Sequence, residues 1–377
     1  MDDRGRRLRE IAWVFLRLGT TAFGGPAAHI ALMEDEVVRR RKWLPREKFL
    51  DLLGATNLIP GPNSTELAIH LGYQRAGWLG LVVAGASFIV PAMVIVGALA
   101  WLYVRFGKLP QADAILYGIK PVVIAIVLQA IVGLLRIAVR SISLAIVGLL
   151  GAALLAAGVH ELVVLLVAGL ITLAVETVRG NVRPRAGAIA LFSTGSAAAT
   201  AAPAVGLVPL FLFFLKVGAV LFGSGYVLLA FLRADLVQRW GWLTERQLLD
   251  AVAVGQVTPG PVFTTATFIG YVLAGFSGAL VATLGIFLPA FLFVAISGPL
   301  VPRLRASPAF GAILDGVNVG SLALMSVVTF QLGRAAIVDL ATTGLAAASA
   351  LLLLRLRVNS AWLVLGGGLA GLVLRLL

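Results

Sequence analysis

The chain contains no cysteine, only three scattered histidines (His29, His70 and His160), and 17 acidic residues against 30 Lys and Arg. The missing thiols exclude disulfides, thiolate metal sites and a cysteine nucleophile, and separated histidines argue against a zinc centre, so neither metal nor cofactor is expected. Nor does the sequence contain the clustered carboxylates or histidine and arginine sets that an enzyme acting on a lipid-linked phosphate would need, and no enzymatic activity is expected. Charge of either sign is scarce. Charged residues make up 12% and hydrophobic residues 60%, with a mean hydropathy of +1.01. That is too little charge to cover a soluble surface.

What the chain does have is long apolar runs. Residues 76–104, 141–159, 186–215 and 217–232 carry no Lys, Arg, Asp, Glu or His, and the run 251–302 has room for two helices, since one crossing takes about 20 apolar residues. The fold class is therefore an all-α polytopic membrane protein. The basic start Met1-Asp-Asp-Arg-Gly-Arg-Arg-Leu-Arg leads into a helix with no small-residue cleavage site, so the N-terminus is expected to be kept, on the cytoplasmic side of the inner (plasma) membrane. The net charge of +13 does not read as a nucleic-acid surface, because the cations lie in short loops between apolar runs, the pattern of positive-inside topology.

The sequence repeats itself. At an offset of 199, Leu16, Gly19, Phe23 and Gly24 meet Leu215, Gly218, Phe222 and Gly223, and Trp43, Leu44, Leu50 and Asp51 meet Trp242, Leu243, Leu249 and Asp250. Pro60-Gly61-Pro62 then falls on Pro259-Gly260-Pro261, and Thr65 on Thr264. After one lost residue the offset becomes 198 for Gly72-Tyr73, Gly77, Gly80, Pro91 and Gly118 against Gly270-Tyr271, Gly275, Gly278, Pro289 and Gly316. Two homologous copies, 1–178 and 209–377, are expected around a linker at 179–208 that could add a transmembrane span. Tandem copies are a plan of secondary transporters, with the substrate site between them. The loop 34–51 has six Lys or Arg where 233–250 has three, and His160-Glu161 stands where the second copy has Arg355 and Arg357. Both asymmetries favour inverted copies, although Arg105 and Lys108 against Arg303 and Arg305 show none.

The residues that repeat are helix breakers. Asn57-Leu-Ile-Pro-Gly-Pro-Asn-Ser-Thr-Glu66 and Gln256-Val-Thr-Pro-Gly-Pro-Val-Phe-Thr-Thr265 each interrupt an apolar stretch with two prolines around a glycine, which forces a broken or re-entrant helix. Such a break is tolerated at membrane depth only against protein or a water-filled cavity. The helix restarting after it aims its free N–H groups at that cavity, a cradle for an anion. Pro60, Gly61, Pro62, Asn63, Ser64, Thr65 and Asn57, with Pro259, Gly260, Pro261, Thr264 and Gln256, are candidate substrate-binding residues, joined by Arg17, Gly24, Gly25, Lys216 and Gly223; two packing kinks are the plainer alternative to the Pro-Gly-Pro cradle. The second repeated break is Phe23-Gly24-Gly25-Pro26 with Phe222-Gly223-Ser-Gly225, each seven residues after a cation, Arg17 or Lys216. An ammonium at a helix centre costs roughly 2.5–3.5 kcal/mol, so this pair calls for either a bound anion or a carboxylate partner. Lys120, Glu66, His29 and Asp315 are further candidates for anion contact or proton coupling.

Phe23-Gly-Gly-Pro-Ala-Ala-His-Ile30, the loop ending near Trp43-Leu44, and Asn57-Leu-Ile-Pro-Gly-Pro62 with its echo at Pro259-Gly260-Pro261 resemble the long-chain, two-domain chromate ion transporter family over essentially the whole chain. The resemblance implies an oxyanion substrate, chromate efflux giving chromate resistance, and sulfate as the chemical look-alike. The second copy departs from the pattern with Gly-Ser-Gly for Gly-Gly-Pro and Val262-Phe263 for Asn63-Ser64, so equal roles for the two copies do not follow. An anion channel, or a carrier of another oxyanion such as sulfate, is the competing reading. Membrane lipid is the expected surrounding, no nucleic-acid partner is expected, and a homodimer is compatible with a sequence that does not fix the oligomeric state.

Overall fold

A computed structural model describes residues 3–23, 25–107, 109–180, 203–222, 227–305, 307–356 and 358–376. The described residues contain helices and no strand. Among the described residues, five helical segments, Asn63–Phe106, Pro110–Ala138, Glu161–Val178, Val262–Ser297 and Pro308–Ala336, are long and apolar enough to cross a membrane. Large side chains such as Trp13, Leu149, Phe276 and Trp362 are turned outward, as a lipid-facing surface allows.

The first copy opens with two helical hairpins. Helix α1 (Asp3–Thr21) is followed by α2 (Gly25–Glu34), which runs on through a π-helical stretch, Asp35–Arg40. This return limb runs antiparallel to α1, because Glu10 accepts hydrogen bonds from Arg41 Nη1 at 3.1 Å and Trp43 Nε1 at 3.0 Å. Helix α3 (Arg46–Thr56) climbs to the Pro-Gly-Pro break, and α4 (Asn63–Phe106) returns from it. At Ala76–Gly77 the backbone of α4 leaves helical geometry, with φ +64° at Gly77, and the chain reverses into a long second arm. Arg75, at the foot of the first arm, donates to Glu10 Oε2 at 2.9 Å. Glu10 thus ties the bases of both hairpins together at one end of the molecule.

The second arm of α4, about 43 Å long at 1.5 Å per residue, crosses to the opposite end. There it gives way to α5 (Pro110–Ala138), α6 (Ile142–Ala156) and α7 (Glu161–Val178). The second copy repeats the order. It comprises α8 (Leu207–Val220), α9 (Leu228–Phe231) with a π-helical stretch Leu232–Arg239, α10 (Glu245–Val257), a 3-10 turn Val262–Thr264 leading into α11 (Thr265–Arg305), α12 (Pro308–Ala336), α13 (Leu340–Leu356) and α14 (Ser360–Leu376). Helix α11 breaks at Ala274–Gly275 as α4 does at Ala76–Gly77. A reciprocal capping box between Thr244 and Gln247 starts α10, satisfying two otherwise open backbone groups.

The copies are inverted. Near its far end α4 carries Tyr103, whose ring lies 5.1 Å from that of Phe268 on the first arm of α11. Near the far end of α11, Ser297 Oγ lies 3.5 Å from His70 Nε2 on the first arm of α4. Equivalent helices therefore run in opposite directions, and the base of the second copy's hairpins sits at the end opposite Glu10, where Arg246 pairs with Asp113. Repeated glycines allow close approaches: a Cβ on Gly19 would lie 2.6 Å from the Phe88 carbonyl oxygen, and one on Gly218 2.4 Å from that of Ile286. Small residues at helix contacts are how helices associate in lipid, where apolar burial gives no advantage over the acyl chains. The copies also interlock, since Gly316 on α12 abuts Ala168 on α7 and Gly118 on α5 abuts Gly367 on α14. Most of the 179–208 linker, including the span it could add, lies outside the described residues.

Candidate functional site: two opposed helix breaks around one cavity

The two Pro-Gly-Pro breaks meet in the middle of the molecule. The Gly61 amide donates to the Leu221 carbonyl at 2.8 Å, and the Gly260 amide donates to the Ala22 carbonyl at 3.0 Å. The repeat pairs Gly61 with Gly260 and Ala22 with Leu221, so one contact is made twice. Each amide, freed from a helix ladder by its flanking prolines, is satisfied by the first break of the other copy. Only glycine fits either position. The φ angles are +137° at Gly61 and +85° at Gly260, and a Cβ would stand 2.3 Å from Glu66 Oε1 at the first and 2.9 Å from the Gly19 carbonyl oxygen at the second.

A cavity of about 50 Å³ lies between the breaks. Pro62, Asn63 and Ser64 wall it from the first copy, Pro261, Val262 and Phe263 from the second, and Pro26 and Ile30 from α2. The amides of Thr65 and Glu66 bond to the Pro62 carbonyl at 2.7 and 3.0 Å, and that of Thr264 to the Pro261 carbonyl at 3.0 Å. This leaves the amides of Asn63, Ser64, Val262 and Phe263 at the helix starts with no intrahelical acceptor, and these residues form the cavity wall. Two helix N-termini with their partial positive charge thus converge on one space.

Side chains brace this centre. His29, buried, places Nδ1 3.2 Å from Ser64 Oγ and Nε2 3.1 Å from the Ala22 carbonyl, the same carbonyl that receives the Gly260 amide. Asn63 Nδ2 donates to Asn57 Oδ1 at 2.8 Å across the break, and Thr264 Oγ1 donates to the Pro261 carbonyl at 2.8 Å. Glu66 is fully buried against Gly61, and neither its carboxyl oxygens nor Thr65 Oγ1 has a hydrogen-bond partner among the described residues. Gln256 lines a second space of about 10 Å³ beside the first, with Val262 and Thr265. Gly25 opens α2 with φ +74°; Gly24 and Gly223 lie outside the described residues.

Arg17 and Lys216 do not wall the cavity. The sequence left an anion or a carboxylate open for them, and the structure supplies carboxylates: Arg17 bonds Glu36, and Lys216 Nζ lies 2.7 Å from Asp235 Oδ2. Glu36 and Asp235 are themselves 199 residues apart and nearly fully buried, and each is gripped by a second arginine, Arg41 or Arg239. Asking which acids share the register of the two cations would have found this brace from the sequence. Lys120 likewise faces a carboxylate, Asp250, at 3.0 Å. Asp315 is half-buried on α12, within electrostatic reach of Arg140 and Glu176 at the end of the molecule where Glu10 lies. Sequence reasoning also missed Asp250 and Tyr103, whose hydroxyl donates to Asp250 Oδ2 at 2.9 Å. The two stand on separate helices, and no periodicity within either helix announces the contact.

The family model for chromate transporters matches twice, over residues 9–173 and 208–372. A chromate transport protein of Cupriavidus metallidurans is 33% identical over 97% of this chain and 93% of its own length. A probable chromate transport protein of Synechococcus elongatus is 34% identical over 89% and 87%, and a chromate transport protein of Pseudomonas aeruginosa 32% identical over 95% and 90%. No solved structure matches. The chain is a multi-pass membrane protein of two inverted copies with a shared break at its centre, and it belongs to the chromate transporter family.

Proposed function

We propose that the protein is a secondary transporter that exports chromate across the inner membrane and so confers chromate resistance, with sulfate as a competing analogue. The observation that carries this reading is the reciprocal Gly61–Leu221 and Gly260–Ala22 contact, which sets two helix N-termini around one cavity between inverted copies, the place where carriers hold substrate. The amides of Asn63, Ser64, Val262 and Phe263, which have no intrahelical acceptor, are the primary oxyanion donors, with Ser64, Thr65, Asn57, Gln256 and Thr264 supplying side-chain donors as the breaks adjust. Arg17 and Lys216 act by holding the return limbs of the first hairpins, and His29 by fixing the break at Ala22. Glu66 serves the cradle as a neutral acid, because an ionised carboxylate without a donor is too costly to bury and would repel a dianion. The six cations of 34–51 support a cytoplasmic position for that end and for the N-terminus with it.

The test is uptake of labelled chromate into inverted vesicles, with and without a proton gradient and with excess sulfate. Saturable uptake that responds to the gradient and is reduced by sulfate supports the proposal. Flux that rises linearly with chromate and never saturates would make the protein a channel instead.

A further inference from the structure

Between the cavity and the end of the molecule opposite Glu10 lies a buried polar cluster that the cradle does not use. Asp250 stands six residues before Gln256 on α10, about 9 Å along the helix, and is fully buried. Three helices meet there. Tyr103 of α4 donates to Asp250 Oδ2, and Lys120 of α5, 13% exposed, places Nζ 3.0 Å from Asp250 Oδ1. That contact is close enough for an ion pair but not aligned as a hydrogen bond, so Oδ1 has no hydrogen-bond donor among the described residues. The other charges nearby are engaged or outward: Arg246, one turn earlier on α10, pairs with Asp113, which Arg375 of α14 also approaches; Arg233 pairs with Glu245; and Arg334 of α12 is exposed. The counterpart positions differ: Asp51 of the first copy lies exposed on α3, and Asn318 of the second copy stands where the first has Lys120.

We propose that Asp250 is the proton-binding site that couples proton movement to oxyanion transport, by controlling whether Lys120 is free to meet the anion. This deepens the transport reading above and rests on it. With Asp250 ionised, Lys120 is neutralised and the route past it offers no charge to an anion. A proton taken up on Oδ1 removes that partner, and Lys120 becomes an uncompensated buried cation that draws the oxyanion from the cradle. Loss of the proton returns Lys120 to Asp250 and expels the anion. Proton and dianion are thereby bound together and released together, a unit with one net negative charge that an inside-negative membrane potential drives outward, and by linkage the anion affinity must rise as pH falls, by up to about tenfold per pH unit for one proton. The asymmetry between the copies sets the stoichiometry at one such proton per cycle.

The experiment is equilibrium binding of labelled sulfate, a dianion from mildly acidic to mildly alkaline pH, to the purified full-length protein in nanodiscs. Wild-type affinity should strengthen as pH falls. Asp250→Asn should hold the tight affinity at every pH, and Lys120→Gln the weak one, while Glu66→Gln should keep the wild-type slope. Should Asp250→Asn fail to fold, Tyr103→Phe tests the same claim: losing the donor to Oδ2 favours the protonated acid, so the curve should move to higher pH with its slope unchanged. A wild-type slope in Asp250→Asn, or an unmoved curve in Tyr103→Phe, would mean the cluster is only a buried ion pair and overturn the proposal. A slope flattened by Glu66→Gln and not by Asp250→Asn would place the proton at Glu66. Wild-type protein that binds neither sulfate nor chromate at any pH would remove the oxyanion reading itself.

Discussion

At the scale of single residues, the centre of the molecule depends on positions where a side chain cannot exist. Gly61 combines a left-handed backbone with a site a methyl group would share with Glu66 Oε1. Gly61→Ala should therefore lower stability by about 1–3 kcal/mol, read as a fall in the unfolding temperature of the detergent-solubilised protein, and should abolish chromate uptake. Glu66→Gln keeps the shape of the buried acid and removes the option of charge, so chromate binding should survive it; a tenfold loss of affinity would show that the carboxyl itself contacts the anion. The glycine could be read from the sequence, because Pro-Gly-Pro recurs at fixed register. The bonding of its amide could not, because the acceptor lies in the other copy and is a backbone carbonyl, which no residue type marks.

At the scale of elements, the hairpins are held shut by carboxylates that the sequence did not single out. The carbonyls of Glu36 and Asp235 close the π-helical turns by accepting the amides five residues on, Arg41 and Trp240, while their carboxylates clamp Arg17 and Lys216. A π-helical stretch leaves no compositional trace, which is why the return limbs were legible only as basic loops, whereas two prolines around a glycine announce a break outright. Asp235→Asn weakens two charge-assisted contacts, to Lys216 and Arg239, and should cost about 1–3 kcal/mol. The expected readout is a lower unfolding temperature, with residual transport retaining wild-type affinity for chromate. Unchanged stability combined with tighter chromate binding would instead mean that Lys216, freed of its partner, meets the substrate directly.

At the scale of the whole molecule, inversion was legible as a charge asymmetry between loops, and the structure supplies its physical content in long helices that run in opposite directions. The native chain has no cysteine, so single cysteines can report topology without background. Arg46→Cys and Arg246→Cys should react with an impermeant maleimide from opposite faces of the membrane; labelling of both from one face would refute inversion. The central claim, that an oxyanion sits between the two breaks and is held by helix starts from both copies, has a direct test in equilibrium binding of labelled chromate to Asn63→Asp and Val262→Asp. A carboxylate at a helix start is favourable for the helix, which offsets the bond from Asn63 Nδ2 to Asn57 Oδ1 that Asn63→Asp removes, so the variant should still fold. Each substitution nevertheless sets a negative charge in the wall of the cavity, and each should weaken chromate binding by tenfold or more, about 1.4 kcal/mol. Wild-type affinity in either variant, with the fold intact, would contradict the account.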